Sequence, residues 1–373
     1  MKVLFVTNLP SPYRVDFFNE LGKRCELTVA FERESASDRD SRWKSKEATS
    51  YRELFLPLTP VGADRAKGSA VKKLVQENRY DFLIFTNYVS PATMKAIFYC
   101  KREKIPYCIE YDGGFYKRDN ILKKWIKHPI LKGASYHFTT CEEHIRYLED
   151  VGIPRSRIFK YPFTSLWQSD LLSQSLTPEK KQAYKKKLGI PESRVVLSVG
   201  RFIPVKGYDV LLQAADRLPR DIGFYLVGGT PTEEYLQMRE DLGLTNFHFV
   251  DFMSKEELRN WYCAADLFVL PTRSDIWGLV VNESMACGLP VVTTDRCIAG
   301  LELVKNNENG FIVPTDDAVA LANAIVSVLG NAEDMGRRSL DRIGEYTIEA
   351  MAQRHEHLFA ELSGQSENTT PNT

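Results

Sequence analysis

Short apolar runs, many of them β-branched or aromatic, alternate along the chain with windows in which apolar residues recur three and four positions apart. The runs at 2–8 (KVLFVTN), 25–31 (CELTVAF), 81–87 (DFLIFTN), 107–112 (YCIEYD) and 135–140 (SYHFTT) predict buried strands. Helical spacing at 13–23, 70–78, 92–103 and 142–151 predicts the elements between them. Strand followed by helix followed by strand predicts parallel pairing with helices on both faces of the sheet. Residues 170–194 (DLLSQSLTPEKKQAYKKKLGIPESR) break this rhythm: they hold no strand and are rich in Lys, Ser and Pro, which predicts a linker. Within it, KKQAYKKKLG has the form of a short helix closed by Gly189 ahead of Pro191.

The rhythm then restarts. Strands are predicted at 195–200, 223–229, 246–252, 266–271, 290–295 and 310–314, with helices near 207–217, 232–242, 254–264 and 280–287. The expected fold class is therefore α/β, with two Rossmann-like domains whose parallel sheets face a central cleft. The expected division is a first domain over 1–170, a linker over 171–194 and a second domain over 195–346. A helix over 347–363 follows the second sheet and is expected to return to the first domain, and the polar tail 364–373 is expected to be disordered. Ligands of open parallel sheets bind beyond the carboxyl ends of the strands, so the loops there must carry the chemistry.

A length of 373 residues fits two such domains. With 43% hydrophobic and 26% charged residues, the chain is neither disordered nor a collagen-like or disulfide-framed sequence. Its 49 Lys+Arg balance 49 Asp+Glu, which speaks against a general nucleic-acid binder. Seven scattered cysteines without a C-x-x-C pair fit free thiols in a reducing cytosol, with no zinc site. The opening MKVLFVTNLPSPYR has too short an apolar run for a signal peptide, and no stretch reaches the length of a membrane span. The expected location is the cytoplasm, with any membrane contact made from the surface.

The strongest chemical signal lies at 269–292, VLPTRSDIWGLVVNESMACGLPVV, which reads as strand, loop, helix and strand. A helix starting near Gly278 would present the amides of Gly278, Leu279 and Val280 as an anion site, reinforced by the helix dipole. Asp275 and Glu283 flank it, and eight helical residues span about 12 Å. Two acids around an anion site suit a ligand with hydroxyls at both ends and a diphosphate in the middle, as in a nucleotide sugar. Either acid alone would signify no more than an N-cap or a dipole-offsetting charge.

The full string Ser274-Asp275-Ile276-Trp277-Gly278-Leu279 followed by Glu283-Ser284-Met285-Ala286-Cys287-Gly288-Leu289-Pro290-Val291-Val292 resembles the Glu-x7-Glu signature of the retaining family-four glycosyltransferases of the GT-B type. The resemblance implies that Glu283 binds the ribose hydroxyls and that Asp275 contacts the transferred sugar. It further implies that the backbone at Trp277 and Gly278 meets sugar and phosphate. Asp275 is one methylene shorter than the family glutamate, and Ile276 stands for a glycine.

Residues 198–207, SVGRFIPVKG, match the family's G-R-x4-K-G at Gly200, Arg201, Lys206 and Gly207. The resemblance implies that Arg201 and Lys206 neutralise the donor diphosphate, so that leaving-group charge is stabilised without metal or cofactor. Gly228 falls near the nucleotide. Asp251 and Phe252 fall in the segment whose backbone reads the base, with uracil the commoner family choice. In the first domain, Asp112 aligns with a family histidine that contacts the transferred sugar, while Asp-Gly-Gly is equally an ordinary turn sequence. Ser11, Tyr13 and Arg14 replace the family's glycine pair and are expected on the acceptor side.

The implied activity is retaining transfer from a nucleotide sugar, UDP-linked by preference, to a saccharide or lipid-linked saccharide in cell-surface polysaccharide or glycolipid synthesis. No residue identifies itself as a carboxylate nucleophile, so front-face substitution is the implied course. A catalytically silent nucleotide-sugar-binding partner and a sugar-nucleotide epimerase are the alternatives. Finally, Lys117, Arg118, Lys123, Lys124, Lys127 and Lys132 accompany Ile121, Leu122, Trp125, Ile126 and Ile130 at helical spacing. This segment reads either as an interfacial helix on the inner face of the plasma membrane or as an ordinary surface helix. The long polar loop 32–50 is a second expected acceptor contact.

Overall fold

The structure, a computed structural model, describes residues 1–34, 47–57, 69–115 and 121–367. The middle of the 32–50 loop, the cations Lys117 and Arg118, and the end of the tail lie outside the described residues. Two compact units result: Met1–Ser165 joined by Thr347–Thr373, and Leu166–Tyr346.

The first unit runs β1 (Lys2–Thr7), α1 (Pro12–Gly22), β2 (Glu26–Phe31), β3 (Arg52–Phe55), α2 (Ala70–Glu77), β4 (Phe82–Phe85), α3 (Pro91–Glu103), β5 (Cys108–Glu110), α4 (Ile121–Gly133), β6 (Tyr136–Thr139), α5 (Glu142–Asp150) and β7 (Ile158–Lys160). Its seven strands are parallel in the order β3-β2-β1-β4-β5-β6-β7. Val3 to Val6 of β1 are fully buried on both faces, as expected where helices cover a parallel sheet. The sequence pattern omits two strands. β3 (RELF) is a half-exposed edge strand with charged residues, and β7 (IFK) has three residues. Neither is long or apolar enough to register as a run.

The second unit runs α6 (Pro178–Leu188), β8 (Arg194–Val199), α7 (Tyr208–Asp216), β9 (Ile222–Val227), α8 (Glu233–Asp241), β10 (Phe247–Val250), α9 (Lys255–Ala264), β11 (Leu267–Leu270), α10 (Leu279–Ala286), β12 (Val291–Thr294), α11 (Ile298–Leu303), β13 (Gly310–Val313), α12 (Ala318–Leu329) and α13 (Ala332–Ile343). The sheet order is β10-β9-β8-β11-β12-β13, again parallel throughout. The chain reverses its winding between β8 and β11, which places a topological switch point beyond their carboxyl ends.

The segment 171–194, expected as a linker, is part of the second unit. Its helix α6 starts at the N-cap Thr177, ends at Gly189 in the left-handed region, and packs on α9. The Lys185 ammonium is buried there, bonded to Asp266 Oδ2 at 2.7 Å and to the Ser193 carbonyl at 2.5 Å. A surface-looking lysine run thus hides one structural cation. The last helix, α14 (Ile348–Glu367), belongs to the first unit and lies against α1. Its His355 is buried among Phe5, Phe17, Phe138 and Tyr161, with Nε2 3.0 Å from Glu110 Oε2. Among the described residues no cysteine is joined in a disulfide.

Candidate functional site

Gly200 follows β8 and Gly228 follows β9, and their backbones touch. A Cβ on Gly228 would lie 1.9 Å from the Gly200 carbonyl oxygen, so only glycine lets the strand ends converge. The chain leaves Gly200 through Arg201, turns at Pro204–Lys206, and enters α7 at Gly207, where φ is 68°. A Cβ on Gly207 would meet the Pro271 carbonyl oxygen at 2.1 Å. The loops after β8 and β11 are therefore in direct contact at the switch point.

Arg273 locks that contact, and the sequence pattern did not single it out. Its guanidinium grips Asp209 through two bonds of 3.0 and 2.6 Å, reaches Asp316 at 2.7 Å, and donates to the Pro204 carbonyl at 2.6 Å. Its amide donates to the Val205 carbonyl at 2.7 Å, and the Thr272 hydroxyl does so at 3.0 Å. This clamp brings Lys206 onto Asp275, with Nζ 2.5 Å from Oδ2 and both side chains mostly buried. The two residues assigned to phosphate and sugar thus hold each other. Arg201, by contrast, is exposed and has no side-chain bond or ion pair among the described residues.

The loop from Asp275 to Gly278 is seated on the segment after β12. Asp275 N–H donates to the Arg296 carbonyl at 2.8 Å, and Ala299 N–H donates to the Trp277 carbonyl at 2.8 Å. The Trp277 indole points into the core and donates to Asn282 Oδ1 at 2.8 Å, so only its backbone can serve a ligand. Gly278, at φ 101°, precedes α10, and the first intrahelical bond runs from Val281 N–H to the Gly278 carbonyl. The amides of Gly278, Leu279 and Val280 therefore lie at the positive end of α10. One turn into that helix, Glu283 Oε2 accepts a hydrogen bond of 3.1 Å from the Tyr262 hydroxyl. Asp251 is exposed, and its carboxylate accepts from the amide of Phe252 at 2.6 Å. Its side chain is engaged in its own turn, and Phe252 beside it is half-buried.

In the first unit, the expected acceptor-side residues are mostly inside. Ser11 and Arg14 are 3% and 2% exposed, turned inward rather than onto an open surface. The physical reason is Glu110, a carboxylate in the middle of an apolar strand that needs a buried partner. Arg14 Nη1 pairs with Glu110 Oε1 at 2.7 Å, and its Nη2 reaches Asp112. Burial alone would raise the Glu110 pKa, but Arg14 and His355 hold it below the ordinary range. Asp112 is half-buried and also faces the half-buried Tyr13, whose hydroxyl donates to Oδ2 at 3.4 Å. Of that group, Tyr13 and Asp112 keep access to the surface.

Helix α4 divides along its length. Ile130 and Leu131 are buried, whereas Trp125 is 77% and Ile126 50% exposed, next to the exposed Lys124. No described helix is long and apolar enough to cross a membrane.

Two Rossmann-like units with parallel sheets of seven and six strands define the GT-B fold. The structure is similar over its length to sucrose-phosphate synthase from Thermosynechococcus elongatus, with 19% identity, TM-score 0.75 and coverage of 98% of this chain and 100% of that one. It is also similar to Anabaena HepE in complex with UDP, with 18% identity, TM-score 0.75 and coverage of 97% and 100%. Residues 180–350 match the family model described as glycosyl transferases group 1. A D-inositol 3-phosphate glycosyltransferase of Xylanimonas cellulosilytica is 32% identical over 167 residues, which cover 43% of this chain and 39% of that relative. The chain spans about two fifths of the length of the curated relatives it matches.

Proposed function

We propose that the protein is a retaining glycosyltransferase that takes a sugar from a nucleoside-diphosphate sugar, UDP-linked by preference, and passes it to a saccharide or lipid-linked saccharide. The observation that carries this reading is the switch point of the second unit. There Lys206, the exposed Arg201 and the start of α10 gather positive potential at one place, with Asp275 and Glu283 on either side. The similarity to D-inositol 3-phosphate glycosyltransferases and the UDP bound by Anabaena HepE support the same reading.

In the proposed reaction the diphosphate oxygen leaves toward Lys206, Arg201 and the α10 amides, which stabilise its growing charge. The acceptor hydroxyl attacks from the same face, and its proton passes to the departing phosphate oxygen. The chain's own side chains supply the electrostatics and orientation; no metal ion or cofactor is part of the proposal. Asp275 orients the transferred sugar once Lys206 turns to phosphate. The exposed Trp125 and Ile126 beside Lys124 suit the interfacial layer of an anionic bilayer, which supports a peripheral position on the inner face of the plasma membrane as part of the proposal.

A second reading, a binding partner without transfer activity, draws on the Lys206–Asp275 pair, in which each candidate group occupies the other. A thermal-shift panel of UDP, GDP and their sugars separates these ideas. UDP in large excess should raise the melting temperature by roughly 5 °C. Glu283→Ala should abolish the rise, and an unchanged shift in that variant would count against the ribose assignment. Labelled UDP-sugar with a lipid extract should yield labelled glycolipid; neither transfer nor slow donor hydrolysis would favour the silent partner.

A further inference from the structure

We propose that Tyr262 is a positioning residue for Glu283 and through it sets the affinity for the nucleotide's ribose. This inference rests on the reading of Glu283 given above and adds a residue outside the signature that led to it.

Tyr262 sits in the last turn of α9 and is 4% exposed. Its hydroxyl lies 3.1 Å from Glu283 Oε2. A carboxylate can only accept, so the phenol donates. Burial and the adjacent carboxylate both push the tyrosine pKa well above its ordinary value, which keeps the donor proton in place. Hydrogen bonds to ionised acceptors are the stronger kind, and the donor end of this one is buried.

The ring that carries the hydroxyl is itself fixed. It packs on Phe268 of β11 with centroids 5.9 Å apart. Helix α9 is pinned from its outer side, where Lys255 Nζ meets Asp170 Oδ2 at 2.7 Å and Arg259 donates to the Asp170 carbonyl at 2.5 Å. Leu166, Asp170, Arg259, Tyr262, Glu283 and Cys287 line one cleft of about 100 Å³. Glu283 therefore stands in the wall of an open cavity with one carboxylate oxygen tied to a rigid element. A glutamate side chain free to sample its rotamers would lose that freedom on meeting ribose; one already held loses less, and the saving appears as affinity. Two bare acids eight sequence positions apart explain a signature, but a tyrosine 21 residues upstream explains why the acid points where it does.

Binding of UDP and of dideoxy-UDP, which lacks both ribose hydroxyls, is measured by calorimetry for wild type, Tyr262→Phe, Glu283→Gln and the double variant. Phenylalanine keeps the ring on Phe268, so the fold is retained. Tyr262→Phe should weaken UDP roughly tenfold and dideoxy-UDP less than twofold, with no further loss in the Glu283→Gln background. In turnover, the donor KM should rise with kcat unchanged. Equal weakening of both nucleotides, or an undiminished loss in the Glu283→Gln background, would show that Tyr262 acts through packing and overturn the inference. If Glu283→Gln discriminates against UDP while Tyr262→Phe does not, only the positioning role fails. If wild type binds UDP and dideoxy-UDP equally, the ribose role of Glu283 fails first, and the inference with it.

Discussion

The Lys206–Asp275 ion pair makes a testable statement about order of events. Both side chains are mostly buried and 2.5 Å apart, so a diphosphate that recruits Lys206 must compete with Asp275. Asp275→Asn should remove that competitor, tightening UDP about fivefold while lowering sugar transfer at least tenfold. Calorimetry with UDP and a turnover assay check both halves; weaker UDP binding in this variant would refute the competition. Lys206, Gly207, Gly278 and Glu283 were legible in the sequence because their spacing is local and their geometry follows from strand ends and a helix start. Arg273 and Tyr262 were not, since their partners Asp209 and Glu283 lie 64 and 21 residues away and only tertiary packing joins them. The inward pairing of Arg14 was not legible for the same reason. The signal that could have placed it was Glu110, an acid inside the run YCIEYD, which demands a buried cation.

At the scale of elements, the long apolar strands and well-spaced helices were readable from period alone, whereas β3 and β7 were not, and α6 was read as a short helix but assigned to a linker. The first two are too short or too polar to stand out. The third carries a lysine-rich face that resembles solvent-exposed linker until Lys185 is seen beneath it. Helix α4 shows how one amphipathic pattern serves two masters: its second half enters the core at Ile130 and Leu131, and its first half leaves Trp125 outside. If the exposed half meets lipid, vesicles containing anionic phospholipid should pull down the wild-type protein and shift Trp fluorescence to the blue. Trp125→Ser should weaken that partition several-fold without altering UDP binding. Equal partition onto neutral and anionic vesicles, or none, would refute the membrane role.

For the molecule as a whole, titration divides the two units. Burial holds His137 and His144 of the first unit down to about 3, with Arg157 and Lys127 contributing respectively. Their ordinary value is near 6.5, so the unfolded chain takes up protons first as the pH falls. Stability is therefore full above about pH 6.5 and declines below it, by about 1.4 kcal/mol per pH unit for each histidine. Denaturant unfolding at pH 7 and 5.5 should show the first unit losing on the order of 2 kcal/mol, and His144→Gln should remove about half of that slope. An unfolding midpoint independent of pH across this range would contradict the buried, neutral state of both rings.

The first unit is assembled from both ends of the polypeptide, since α14 comes home to α1 after the entire second sheet has been made. On the ribosome this inverts the usual order of maturation: the middle of the chain can settle while the earlier-made strands still wait for their covering helix. A nascent chain stalled near residue 346 should accordingly resist protease in its central portion and be cut freely upstream of it.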